Sequence, residues 1–466
     1  IVSKCGTDVT LGASGDTVAL ASGATQTGFG RTGTVDWVTT PKVTGDSPIT
    51  GVTGKGYFLN TTAGAITINL PAGTAGDIVS MADYAATWQT NSVTVTPNGS
   101  DKIGSLNNNA TLSTEGQSVT FVFVDSTQGW INTMDSTSNV RGLSPFVHAT
   151  GGNQSPTCGL VCGDYKTHIF TGPGTFCVSN TAPTAPLNVV DYFVIAAGGG
   201  GGTPTSGSGA GAGGFRMSNA LALPAPTTSP LASPTGVTVS ETGYPITVGA
   251  GGAGVAGCAY SGNGNNSVFD SITSTGGGGG VNNPNNVGVA GGSGSGGRGG
   301  VGPGVSNPNA GGAGNTPATP ISQGFAGGYG YDGLISNTQS GGGGGAAAVG
   351  GDAGPGAGAP GGAGSFVADP FVGPTAPSYG TPGPTGSTRY FAGGGGGATD
   401  TPNASTYPGG AGGGGKAGGP TTPVAERKGT INTGGGGGAG YTPGGPGCGI
   451  QTTGGSGIVM IRYKFQ

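Results

Sequence analysis

The chain has 466 residues, of which 111 are glycine and 33 proline, and its charges are few, 15 basic against 19 acidic. A net charge of −4 argues against a nucleic-acid-binding protein, because phosphate neutralisation needs clustered Lys and Arg. So few charges also set the chain apart from disordered sequences, which pair low hydrophobicity with high charge, and the glycine is therefore read as ordered. No apolar run reaches the 18 residues of a membrane-spanning helix.

Residues 1–50 are rich in Thr, Gly and Val with weak periodicity, and are read as an N-terminal arm or attachment element. From 51 to 135 the pattern is that of a β-protein. Ile66, Ile68 and Leu70 alternate with Thr67 and Asn69, the period of a half-buried strand. Asp77 to Met81, Val93 to Thr96 and Val119 to Val124 repeat it, with turn-formers such as Pro97-Asn98-Gly99 between, and Trp130-Ile131 closes the series. Short strands at this spacing predict a β-sandwich or jelly-roll-like domain.

Residues 136–186 read as a connector. Tyr165 to Phe170 and Thr175 to Val178 flank Thr171-Gly172-Pro173-Gly174, a hairpin signal. The connector holds Cys158, Cys162 and Cys177, and Cys258 and Cys448 lie further on. These five are candidates for disulfides, with a Cys258–Cys448 bridge closing a long loop. Cys158, Cys162, His168 and Cys177 also fall close together, but their spacing fits no common zinc finger. The preferred reading makes His168 an ordinary strand residue, with no metal and no cofactor.

Residues 187–466 form the glycine-rich domain. Only 19 glycines fall within 1–150. The rest include five runs of five, at 198–202, 276–280, 341–345, 393–397 and 434–438. No Gly-X-Y period holds, which excludes collagen. A glycine run in three-residue-per-turn geometry has no internal hydrogen bonds, so its buried N–H and C=O groups need lateral partners. Only glycine lets backbones approach closely enough to supply them. The expected fold class is mainly β, with a bundle of packed polyglycine-II helices after the sandwich. The strand at 188–197 is expected to pair with the apolar run Ile458 to Tyr463.

Several phrases resemble those of phage tail fibres and related virion proteins, especially of marine phages. They are Asp164-Tyr165-Lys166-Thr167-His168-Ile169-Phe170 with Thr171-Gly172-Pro173-Gly174, Val190-Asp191-Tyr192-Phe193-Val194-Ile195 running into glycine, Gly213-Gly214-Phe215-Arg216, Tyr244-Pro245-Ile246-Thr247-Val248, and Gly457-Ile458-Val459-Met460-Ile461-Arg462-Tyr463. Gly56-Tyr57-Phe58-Leu59-Asn60 and Asp125-Ser126-Thr127-Gln128-Gly129-Trp130 are similar to the β-domain that precedes it in such fibres. The resemblance implies a virion tail-fibre subunit or adhesin, extracellular, that meets other tail proteins and a host receptor, either a glycan or an outer-membrane protein. It also implies a homotrimer organised through residues 1–135.

Enzymatic chemistry finds no support. Gly-x-Gly-x-x-Gly recurs, but in so glycine-rich a chain chance supplies it. No Gly-x-Ser-x-Gly elbow is present, and only His148 and His168 could serve a triad. Aromatic residues between the glycine runs are the stronger functional signal. A glycine bundle has no side-chain core, so they either cap its ends or form an exposed binding tip. The segments 325–335, 365–391 and 399–407 are expected to bind the receptor, with Tyr329, Tyr331, Phe371, Tyr379, Tyr390 and Tyr407 as anchors. The competing expectation is a virion decoration or self-assembling filament with no receptor.

Overall fold

The computed structural model describes residues 35–136, 146–153, 159–182, 185–203, 207–223, 228–255, 260–282, 287–299, 309–333, 337–382, 388–399, 407–419, 422–440 and 452–466. The protein is mainly β, and the chain divides into two compact units, Ile1–Gly142 and Leu143–Gln466.

Among its described residues the first unit holds nine strands: β1 (Asp36–Val43), β2 (Ile49–Thr50), β3 (Lys55–Asn60), β4 (Ile66–Asn69), β5 (Ile78–Asp83), β6 (Val93–Thr96), β7 (Ala110–Leu112), β8 (Ser118–Asp125) and β9 (Gly129–Ser136). One sheet has the order β1-β3-β5-β8-β9 and the other β2-β4-β6-β7. The chain therefore alternates between sheets for its first six strands, and β1, β3 and β5 pair in parallel, as do β2, β4 and β6. A jelly roll would be antiparallel; this is a two-sheet coil finished by antiparallel strands. Between the sheets lie Leu59, Ile68, Met81, Val95, Trp88 and Trp130, all fully buried. Residues 36–50 are no arm, because β1 pairs with β3 and β2 with β4.

In the second unit a central sheet runs Leu160–Cys162, Tyr165–Phe170, Ile458–Lys464, Val189–Ile195, Phe215–Ser218 and Ala232–Ser233, with Val237–Thr238 also pairing to Val189–Ile195. Strand alternation buries both of its faces. Ile169, Phe193, Ile195, Ile458 and Met460 point into one core; Phe170, Tyr192, Val194, Val459 and Ile461 point into another. Asp191 and Arg462 face each other across the pair at 3.5 Å, both nearly inaccessible. The second core is covered by an antiparallel sheet of His148–Thr150, Gly174–Asn180, Gly243–Thr247, Ser267–Phe269 and Ile272–Ser274.

The Thr171–Gly174 turn does not make a hairpin. Tyr165–Phe170 belongs to the central sheet and Gly174–Asn180 to the sheet above it, so the turn carries the chain between layers. The connector is thus part of the second unit. Its cysteines need correction as well: Cys162 and Cys177 are free thiols. Cys162 stands opposite Tyr165 and Cys177 opposite Gly243, in different sheets. Cys158, Cys258 and Cys448 lie outside the described residues.

The glycine segments continue the strands. Val189–Ile195 leads into 196–202, Ile272–Ser274 into 275–281, and Thr388–Phe391 into 392–398. Their hydrogen bonds repeat every third residue. Gly198 and Gly201 donate to Gly455 and Thr452, Gly199 and Gly202 to Gly211 and Ser208, and Ala197 and Gly200 to Asn265 and Gly262. Gly341 and Gly344 likewise reach Gly297 and Gly294, while Gly342 and Gly345 reach Gly351 and Ala348. The reason is steric. With side chains, a strand has main-chain neighbours on two sides only, and sheets stack about 10 Å apart. Without them, backbones close in from a third direction: a Cβ at Gly343 would lie 1.8 Å from the Ala210 oxygen.

Candidate functional site

The segment 365–391, rich in proline, folds as a small cap over the first core of the central sheet. Ser365–Ala368 pairs antiparallel with Thr388–Phe391, which also pairs with Thr381–Pro382. Pro370 opens the short helix Asp369–Val372, and Gly373 ends it at φ +85°, a conformation that disfavours side chains. The strand period then sorts the aromatics. Val367 and Phe391 point down; Phe366 and Tyr390, opposite each other in register, point up.

The upper pair forms an aromatic platform. The Phe366 and Tyr390 rings are 5.5 Å apart and tilted by 36°, and both are half-buried. Arg389, between Tyr390 and the strand start, fixes the adjoining turn. Its Nε donates to the Tyr379 oxygen at 2.6 Å, and its Nη2 to those of Pro377 and Gly380 at 3.2 and 3.0 Å. Such charge-assisted bonds from a rigid fork hold the backbone at little entropic cost.

The lower residues are structural. Phe371 is fully buried and Tyr379 nearly so, and Phe193 lies 6.0 Å from Phe371 and 4.9 Å from Phe391 between ring centroids. Thr167 Oγ1 donates to the Phe371 oxygen at 2.7 Å, tying cap to sheet. Phe371 and Tyr379 are therefore not exposed anchors, because the glycine bundle adjoins an apolar core that takes them up. Tyr407 is half-buried over Ala398, Ala417 and Ala439. Tyr331 is half-buried at the start of Tyr331–Gly333, which pairs with Asn337–Gln339.

Tyr329 is half exposed; its N–H donates to Asp352 Oδ1 at 2.7 Å and its carbonyl accepts from Ala353 at 2.9 Å. Residues 334–335, 383–387 and 400–406 of the expected binding segments lie outside the described residues. Of the six expected anchors, Tyr329 is exposed, Tyr331, Tyr390 and Tyr407 are half-buried, and Phe371 and Tyr379 are buried. Phe366 was passed over as an anchor. Its register opposite Tyr390 marks it, and two four-residue β-patterns separated by a proline-rich stretch were the available signal.

His168 is enclosed, with Nδ1 2.7 Å from the Gly151 oxygen and Nε2 3.1 Å from the Tyr463 hydroxyl. Both ring nitrogens are occupied, and burial holds its pKa below the ordinary 6.5. Among the described residues no group of His, Cys, Asp or Glu could hold a metal ion.

No curated protein is significantly similar to the chain. Residues 171–464, which take in the cap, every glycine run and the central sheet apart from Leu160–Cys162 and Tyr165–Phe170, match the model of the family described as Glycine-rich domain, and the chain belongs to that family.

Proposed function

We propose that the protein is a non-enzymatic tail-fibre or adhesin subunit of a phage virion, a homotrimer that works outside the cell and attaches to a glycan or an outer-membrane protein of the host. The observation that carries this reading is the Phe366–Tyr390 pair, two half-buried rings against one another on a clamped sheet. Rigid aromatics give a large contact area at low entropic cost. The glycine segments, whose hydrogen bonds repeat every third residue, are read as polyglycine-II helices that stiffen the support. With so few charges, stacking and hydrogen bonds govern attachment, and salt affects it little.

The test is adsorption of the purified protein to host cells, and its competition with phage. Phe366→Ala with Tyr390→Ala, and Tyr329→Ala separately, weaken adsorption without changing the melting temperature. Unchanged adsorption with all three residues truncated overturns the reading and favours a decoration or filament protein.

A further inference from the structure

Beside the central sheet lies an open groove of about 470 Å³, bounded by its edge strand Ala232–Ser233, by Val237–Thr238 and by the tip of the Ser267–Phe269/Ile272–Ser274 hairpin. That volume falls within the range of small-ligand sites, about 300–1,000 Å³. Leu231, Ile272, Pro320 and Ile321 give it apolar walls.

Three polar groups converge on it. Tyr192 lines the groove, and its side chain is largely buried against the second core. Arg216 commits Nη1 to the Thr273 oxygen at 3.2 Å, and a guanidinium has five N–H donors. Asp270 sits in the hairpin turn at φ +50°, a backbone that Asp tolerates better than most residues. Its Oδ2 accepts from the Ser271 hydroxyl at 3.2 Å.

We propose that this groove binds a carbohydrate of one or two hexose-sized units. A sugar ring offers C–H faces to the apolar walls. Its hydroxyls both donate and accept, so they can satisfy a donor-only guanidinium, an acceptor-only carboxylate and a phenol at once. A wholly apolar ligand would leave Arg216 and Asp270 desolvated and unpaired, which costs binding energy. A phosphate or sulfate would meet the charge of Asp270. An extended peptide would have only the two-residue edge Ala232–Ser233 to pair with, too short for β-augmentation. The groove shares no residue with the Phe366–Tyr390 platform, so the two sites stand or fall separately.

The experiment is saturation-transfer NMR and calorimetric titration of the full chain with free hexoses, N-acetylhexosamines, hexuronic acids and their common disaccharides at millimolar concentration. At least one saccharide binds. Asp270→Asn and Arg216→Gln, which keep the turn and the side-chain bulk, each weaken it about tenfold or more, the loss of a hydrogen bond to a charged group. Phe366→Ala with Tyr390→Ala leaves that affinity unchanged. The proposal is overturned if no saccharide of the panel binds, if binding is the same in both groove variants, or if an extended hydroxyl-rich peptide binds the groove and no saccharide does.

Discussion

Replacing Gly278 by alanine tests the packing of the glycine segments at one atom. A Cβ there would lie 2.1 Å from the Val289 oxygen, 2.9 Å from its carbon and 3.1 Å from the Ser295 nitrogen. All three are backbone, so no side chain can swing aside, and the segments must separate by about 1 Å to restore ordinary contact. Three hydrogen bonds surround that contact: Gly278 to Ser293 across it, Gly211 to Gly278 on the far side, and Ser295 to Val289 within the neighbour, at 2.9 to 3.0 Å. If two or three are lost with their groups still buried, at about 1–3 kcal/mol each, the cost is on the order of 3–6 kcal/mol. At an unstrained site, Gly→Ala instead stabilises by about 0.4–1 kcal/mol through the unfolded chain. The sign therefore distinguishes packed segments from linkers. Gly436→Ala, whose Cβ would lie 2.2 Å from the Ala210 oxygen, is the second case, and Gly172→Ala, with nothing within 4 Å, is the control. Followed by calorimetry, the first two lower the melting temperature of the second unit by on the order of 10 °C, while the control leaves it level or slightly raised. Melting temperatures unchanged in both Gly278→Ala and Gly436→Ala would refute the packing argument.

The cap aromatics are expected to separate by role: Phe371→Ala costs about 3–5 kcal/mol of stability in denaturant titration, and a loss below about 1 kcal/mol contradicts its place in the core. Because burial depresses the pKa of His168, the unfolded chain takes up its proton at higher pH than the folded one. Stability is therefore intact above about pH 6.5 and falls as the pH drops below it. Urea midpoints at several pH values check this, with His168→Gln flattening the slope; a wild-type slope equal to that of the variant refutes it. Light scattering at micromolar concentration is expected to return a trimer for the full chain, and a monomer contradicts assembly through the first unit.

What was legible in the sequence was local. The alternation of Ile66, Ile68 and Leu70 marks a strand because side chains there face core and solvent in turn, and Tyr165 to Phe170 was bounded by the turn that follows it. Alternation gives a face and not a partner. That is why the parallel coil of β1 to β6, and the change of sheet at Thr171–Gly174, could not be read. Proline misled in the cap. Pro370 starts a helix turn and Pro377 lies in a 3₁₀ turn, so the stretch read as an exposed loop while Phe371 and Tyr379 were closing a core. Exposure itself is a property of the assembled layers, and so the pattern of aromatics and prolines could not show that Phe371 and Tyr379 are buried.

Because the glycine segments bond sideways, each to several neighbours, their resistance to force depends on direction. A pull along a segment loads its hydrogen bonds side by side in shear, so the next can yield only when all do. A pull across the segments peels them singly. Strand and glycine segment are one continuous chain at 189–202 and 388–398, so tension arriving through the sheet passes into the glycine layer along the axis in which that layer is strongest.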